Sequence, residues 1–249
     1  MEVHAHSHTP RKKWTHYFWE FLMLFLAVFA GFLAENQREH YVEHQREKQY
    51  AQSLYNDLKL DTSRLGFIKA VKLWKGGKLD SLKSVLGLVN LQDHSKLIYY
   101  YSLFINLNHK FYAQDATIQQ LRSSGSLRYF RNQQLYDKIV QYYTMCNFFL
   151  DREVESENQI LLPADLISKL FDGKILMANL TATGDVWKAI AMPEGNPQLL
   201  TTDKQILNQY YLFIANKKWV NDVSLLFLGN IEKMTEDLIS KIKNEYNVK

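Results

Sequence analysis

Residues Phe21 to Ala34 read FLMLFLAVFAGFLA, fourteen apolar positions without a break. Extending back to Trp14 gives 21 residues interrupted only by Thr15, His16 and Glu20. As a helix this segment is about 31 Å long, close to the thickness of a bilayer's hydrocarbon core. It is apolar all round rather than along one stripe, so it has no polar face to turn to water. Trp14, Tyr17 and Trp19 gather at one end, where amphipathic rings settle at the headgroup level. The soluble alternative is a buried core helix, because fourteen strictly apolar residues alone are short for a span. The flanks favour the membrane: Arg11, Lys12 and Lys13 precede the run and the charged stretch ENQREHYVEHQREKQ follows it. A transmembrane helix is expected over residues 14–34.

A cleaved signal peptide is the nearest competitor. Val28 and Ala30 make a small-residue pair, but the apolar run continues past them to Leu33 and carries Glu20 with several large aromatics, so an uncleaved anchor is expected. The only cysteine is Cys146, which leaves no acylation site beside the segment and excludes a disulfide framework or cysteine-based metal centre within one chain. By the positive-inside rule Arg11, Lys12 and Lys13 keep a tail of residues 1–13 in the cytoplasm and send residues 36–249 across the membrane. The expected location is the inner (cytoplasmic) membrane, with a periplasmic C-terminal domain.

Beyond the anchor the pattern changes twice. Residues 35–50 are good helix formers with almost no apolar face. Glu35, Glu39, Glu43 and Glu47 form one stripe at spacing four, and His40, His44 and Lys48 form its neighbour. A helix that is polar all round reads as a solvent-bridging stalk. From Ala51 onward apolar residues recur every three or four: Ala51, Leu54, Tyr55 and Leu58; Leu79, Leu82, Leu86 and Val89 after a break at Gly76–Gly77; Leu97, Tyr100, Phe104, Leu107 and Phe111; Leu135, Ile139, Tyr142, Cys146 and Phe149; and Val220, Val223, Phe227, Ile231, Met234, Leu238, Ile242 and Tyr246. Residues 173–200 read as loop with a short strand or turn. The expected fold is all-α: a single N-terminal transmembrane helix continuing into a polar helical stalk, then an antiparallel helical bundle over 51–249.

The block RKKWTHYFWEFLMLFLAVFAGFLAENQREH, with a Glu inside the apolar run and a Glu-Asn-Gln exit, resembles the start of uncharacterised single-pass membrane proteins from Bacteroidota. The segment LRSSGSLRYF at 121–130 is similar to that family's Ser-Ser-Gly-x-Leu stretch. The resemblance covers these two patches and implies an anchored helical envelope domain. It brings no activity.

Charge narrows the partners. All but three of the 30 basic and all but two of the 26 acidic residues follow Ala34. That near balance makes a mixed solvated surface rather than a phosphate-binding stripe, so nucleic acid is not an expected partner. No P-loop, G-x-G-x-x-G or C-x-x-C motif supports a nucleotide or redox cofactor, and no cofactor is expected.

Five features could carry chemistry. His40-Tyr41-Val42-Glu43-His44 spells H-x-x-E-H, which on a helix sets two imidazoles on one face for zinc with Glu43 as base. A third ligand would have to come from Glu153, Glu155 or Glu157, and a charged stalk is a poor place for a cleft. His4, His6 and His8 alternate in the tail, where nothing orients them as ligands. Cys146 lies on an apolar helix face and reads as a buried thiol. Ser123-Ser124-Gly125-Ser126 reads as a helix stop, with Gly125 left-handed and Ser126 a cap, rather than a nucleophile elbow. The tyrosines at 99–101, 142–143 and 210–211 read as core-edge residues whose hydroxyls reach water, with a ligand pocket as the alternative.

The anchor carries the most suggestive pattern. Glu20, Ala27, Gly31 and Ala34 share one face, and small residues four apart let membrane helices approach closely. The expected function is therefore a non-enzymatic, membrane-anchored envelope protein. It would be a scaffold or partner-binding subunit that sits in the lipid bilayer, forms a homo-oligomer through its anchor and meets an envelope protein partner. A membrane-anchored zinc hydrolase using His40, Glu43 and His44, and a periplasmic ligand-sensing bundle, are the alternatives.

Overall fold

A computed structural model describes residues 14–159 and 164–248, the side chains of 157–159 excepted. The tail with His4, His6, His8, Arg11, Lys12 and Lys13, and the side chain of Glu157, fall outside the described residues. All regular structure among the described residues is helical apart from one isolated bridge, Leu180–Ile190. The helices are α1 (Trp14–Leu86), α2 (Ser95–Ser102), α3 (Ala116–Ser123), α4 (Gln133–Gln159), α5 (Ala164–Leu170), α6 (Gly173–Ala178) and α7 (Lys204–Tyr246), with short 3-10 turns between them. The chain divides into two units, Met1–Tyr50 and Ala51–Lys249.

In the second unit the latter part of α1 packs with α4 and α7. The face of α1 that turns inward carries Leu54, Leu58, Asp61, Leu65, Ile68, Lys72, Lys75, Leu79 and Leu82, all buried. These positions alternate in steps of four and three, the seven-residue repeat of helices that interlock side chains. In α4 the repeat is Leu135, Ile139, Tyr142, Cys146, Phe149 and Glu153. In α7 it is Asn221, Ser224, Leu228, Ile231, Thr235, Leu238 and Ile242. A second cluster joins Leu79, Leu82, Ile98, Tyr99, Leu170, Phe171, Tyr210 and Ile214.

Cross-helix pairs give the directions. Asp61 meets Tyr142 and Lys72 meets Glu153, so α1 and α4 run the same way. Lys138 meets Asp237 and Phe149 stacks on Phe227, so α7 runs against α4. This departs from the expected antiparallel order. The connection over 87–132, with α2, α3 and an extended strap, returns the chain to the end from which α4 can run parallel to α1.

Local chemistry explains where the elements stop. Asp203 and Asp172 accept two backbone N–H bonds each and start α7 and α6. Gly125 is left-handed (φ 65°) one residue beyond the C-cap of α3, as expected. Ser126 makes no capping bond and instead accepts from Ser124 Oγ; Asn132 Oδ1, accepting from Leu135 N, caps α4. The helix expected through Phe111 ends at Asn106, where Leu107 turns extended.

Gly76–Gly77 does not break α1. Gly76 is buried against α7, and a Cβ there would meet Asn221 Nδ2 at 3.2 Å. That amide donates to Lys72 O at 3.0 Å, so it is held in place. Gly77 is exposed with nothing within 4 Å. Gly77→Ala should therefore raise stability by about 0.5–1 kcal/mol through helix propensity alone. Gly76→Ala should lower it, because displacing Asn221 leaves a buried donor unmet. Denaturant melts of the full chain would show opposite signs; a gain at both positions would mean that Asn221 can move aside.

Candidate functional site

The anchor face, the H-x-x-E-H segment and the polar interior of the second unit are the three places where chemistry could reside. Near its N-terminal end α1 is long and apolar enough to cross a membrane, and none of its apolar window is buried. A core helix of a water-soluble fold would be mostly covered. Ala27, Gly31 and Ala34 are exposed, and a Cβ at Gly31 would meet nothing within 4 Å. Glu20 pairs with His16 at 3.0 Å, one turn earlier, a partner that the sequence reading passed over.

In the H-x-x-E-H segment the two imidazoles turn to different carboxylates. His40 Nδ1 lies 3.7 Å from Glu43, and His44 Nδ1 lies 3.1 Å from the buried Glu47. Glu43 therefore stands beside the imidazole it was expected to assist at a metal. Of the acids considered as third ligand, Glu153 is paired with Lys72 and Glu155 with Arg152. Among the described residues no group of three or more His, Cys, Asp or Glu is placed to hold one ion.

The polar interior was not anticipated. Asp61 is fully buried, accepting Tyr142 Oη–H at 2.7 Å and Gln114 N–H at 2.8 Å. Tyr143 donates to Gln114 O at 3.0 Å, and Arg64 donates to the Gln114 side chain at 2.6 Å. The three that reach Gln114 pin one end of a non-helical strap, residues 107–115, to α1 and α4. Its other end is held by Lys75, which donates to Leu107 O at 2.8 Å. Three helical turns along from Asp61, Lys72 pairs with Glu153 at 2.6 Å with both side chains buried.

Four of the seven tyrosines correct the expectation that their hydroxyls reach water, whereas Tyr100 and Tyr101 are half-buried and Tyr211 is exposed. Tyr99, Tyr142, Tyr143 and Tyr210 are buried and bond internally, Tyr99 accepting from Asp172 N and Tyr210 donating to Ser102 Oγ. Burial raises the pKa of each above the ordinary phenol value. Cys146 is buried and its thiol is pushed up to about 12, chiefly by desolvation, which makes it a poor nucleophile.

Asp61, Lys72 and Glu153 occupy core positions of the seven-residue repeat. A charged residue in an otherwise apolar register is the signal that locates them in sequence.

Desolvation raises the Asp61 pKa above its usual 3.8, against the lowering pull of the Tyr142 and Gln114 bonds. A carboxyl whose folded pKa is raised favours folding when protonated. That contribution is full below 3.8 and is lost as pH climbs through the raised value. Asp61→Asn should remove this part of the pH slope, so the variant gains on the native chain between acid and neutral pH in denaturant melts. Parallel curves would show that Asp61 does not titrate in that range. Separately, Lys72→Met should cost about 3–5 kcal/mol by stranding Glu153, and adding Glu153→Leu should recover most of that. Thermal melts of the single and double variants check this.

Against known proteins, no family model, no curated protein and no solved structure matches the chain.

Proposed function

We propose that this chain is a single-pass inner-membrane protein whose residues 51–249 form a helical, non-enzymatic envelope domain, self-associating through its anchor and binding an envelope partner. The observation that carries the reading is that, among the described residues, none of the apolar window of α1 is buried. Water does not tolerate a contiguous apolar surface of that extent, whereas a bilayer does. Arg11, Lys12 and Lys13 set the orientation with the N-terminus in the cytoplasm. The buried bonds of Asp61 to Tyr142, Lys72 to Glu153 and Lys75 to Leu107 O hold helices and strap together, which supports a scaffold over an enzyme.

Self-association rests on Ala27, Gly31 and Ala34, since lipid gives apolar helices no hydrophobic reason to pair and close packing must supply it. His16 beside Glu20 gives that carboxylate a partner within its own helix, so Glu20 contributes less to assembly than the small residues do. Gly31→Leu should then weaken the oligomer more than Leu24→Ala does, by cysteine cross-linking along residues 20–34 in native membranes. Equal cross-linking on every face, or a monomer in nanodiscs, would overturn self-association. A reporter fused at Lys249 that is active only in the cytoplasm would overturn the orientation.

A further inference from the structure

In the second unit the strap and α1 enclose a groove of about 470 Å³. Arg64, Phe67 and Ile68 form one wall, and Lys110, Phe111 and Tyr112 form the other. The volume falls within the range of small-molecule sites. The floor is apolar, with Ile68 and Phe111 almost wholly buried, while Phe67 and Tyr112 stand about half exposed at the lip. The two charged side chains in the lining are both cations, and no carboxylate shares it. Asp61, which holds the strap at Gln114, is fully buried and already accepts two hydrogen bonds.

The groove is also preformed. Its strap wall is tied at Leu107 by Lys75 and at Gln114 by Asp61, Tyr143 and Arg64, so a ligand meets a wall whose backbone is already fixed. Fixing a site in advance removes an ordering cost from binding. Phe67 packs edge-on against His109, which steadies its ring.

From these features we infer that the groove binds a small amphiphilic anion, an aromatic or short alkyl body carrying a single carboxylate. The body lies on Ile68 and Phe111 between the Phe67 and Tyr112 rings. The carboxylate takes the cationic rim, where charge-assisted hydrogen bonds from Arg64 or Lys110 are strongest. A cation of the same shape meets like charge at both positions and is rejected.

The test uses the full chain in nanodiscs, with empty nanodiscs as the partition control, and fluorine NMR of a fluorinated phenylbutyrate against the phenylbutylamine of equal length. The expected result is saturable broadening of the carboxylate with a Kd of about 0.1–1 mM and at least about tenfold weaker binding of the amine. Lys110→Ala should weaken carboxylate binding several-fold. Ser63→Trp, which fills the groove from the α1 side and keeps both cations, should abolish it while the melting temperature stays close to that of the native chain. Three results would overturn the proposal: equal affinity for acid and amine, carboxylate binding untouched by Ser63→Trp, or no saturable binding by millimolar probe. Because Ser63 and Lys110 lie outside the anchor, the outcome is independent of whether the chain self-associates.

Discussion

Asp61–Tyr142 and Lys72–Glu153 join α1 to α4 with the same sequence offset of 81 residues. Both helices have the same seven-residue period, so apolar side chains alone would accept several registers. A slide of one repeat would still set apolar residues against each other, Leu65 against Ile139 for instance. It would also bury Asp61 and Glu153 away from their donors, and a buried charge without its partner costs several kcal/mol. Two polar pairs three turns apart thus select one alignment from those that hydrophobic burial leaves nearly equivalent, as a single polar core residue does in coiled coils. Parallel α1 and α4 follow from this, and α7 then fills the remaining side in the opposite direction.

Much of this was legible in sequence, and what was not has a single cause. The stripe Leu135, Ile139, Tyr142, Cys146 and Phe149 is buried throughout, as its spacing predicts. For α7 the apolar reading selected Val220, Val223, Phe227 and Met234, which the structure leaves partly exposed, and passed over Asn221, Ser224 and Thr235, which it buries. Thr235 returns its hydroxyl to Ile231 O within the helix, and Asn221 spends its amide on Lys72 O, so neither requires water. Small polar residues with a backbone acceptor in reach behave as core residues. Hydropathy does not register that acceptor. The same blindness hid Asp61, and it cast Gly76–Gly77 as a stop where α1 and α7 approach closely.

The strap is the clearest case of a functional feature invisible to periodicity. Leu107 and Phe111 continue a helical spacing from Leu97, yet the helix ends at Asn106 because tertiary donors and acceptors claim the backbone beyond it. Asp61 serves the strap with one oxygen and α4 with the other. The groove wall and the helix register therefore share one carboxylate, and a change that loosens either is felt by both. A ligand lying in the groove would stabilise the folded state by mass action through that same residue.

The first unit obeys different rules. The pairs His16–Glu20, Glu35–Arg38, His40–Glu43 and His44–Glu47 lie three or four residues apart on one helix. Pairs of that kind contribute only a few tenths of a kcal/mol each. They cannot hold an exposed apolar helix in water against collapse or aggregation. In the proposed reading the hydrophobic surface of Trp14–Ala34 is matched by its surroundings. A bilayer does this without adding a residue, and it turns backbone hydrogen bonding within α1 from a marginal contribution into a requirement.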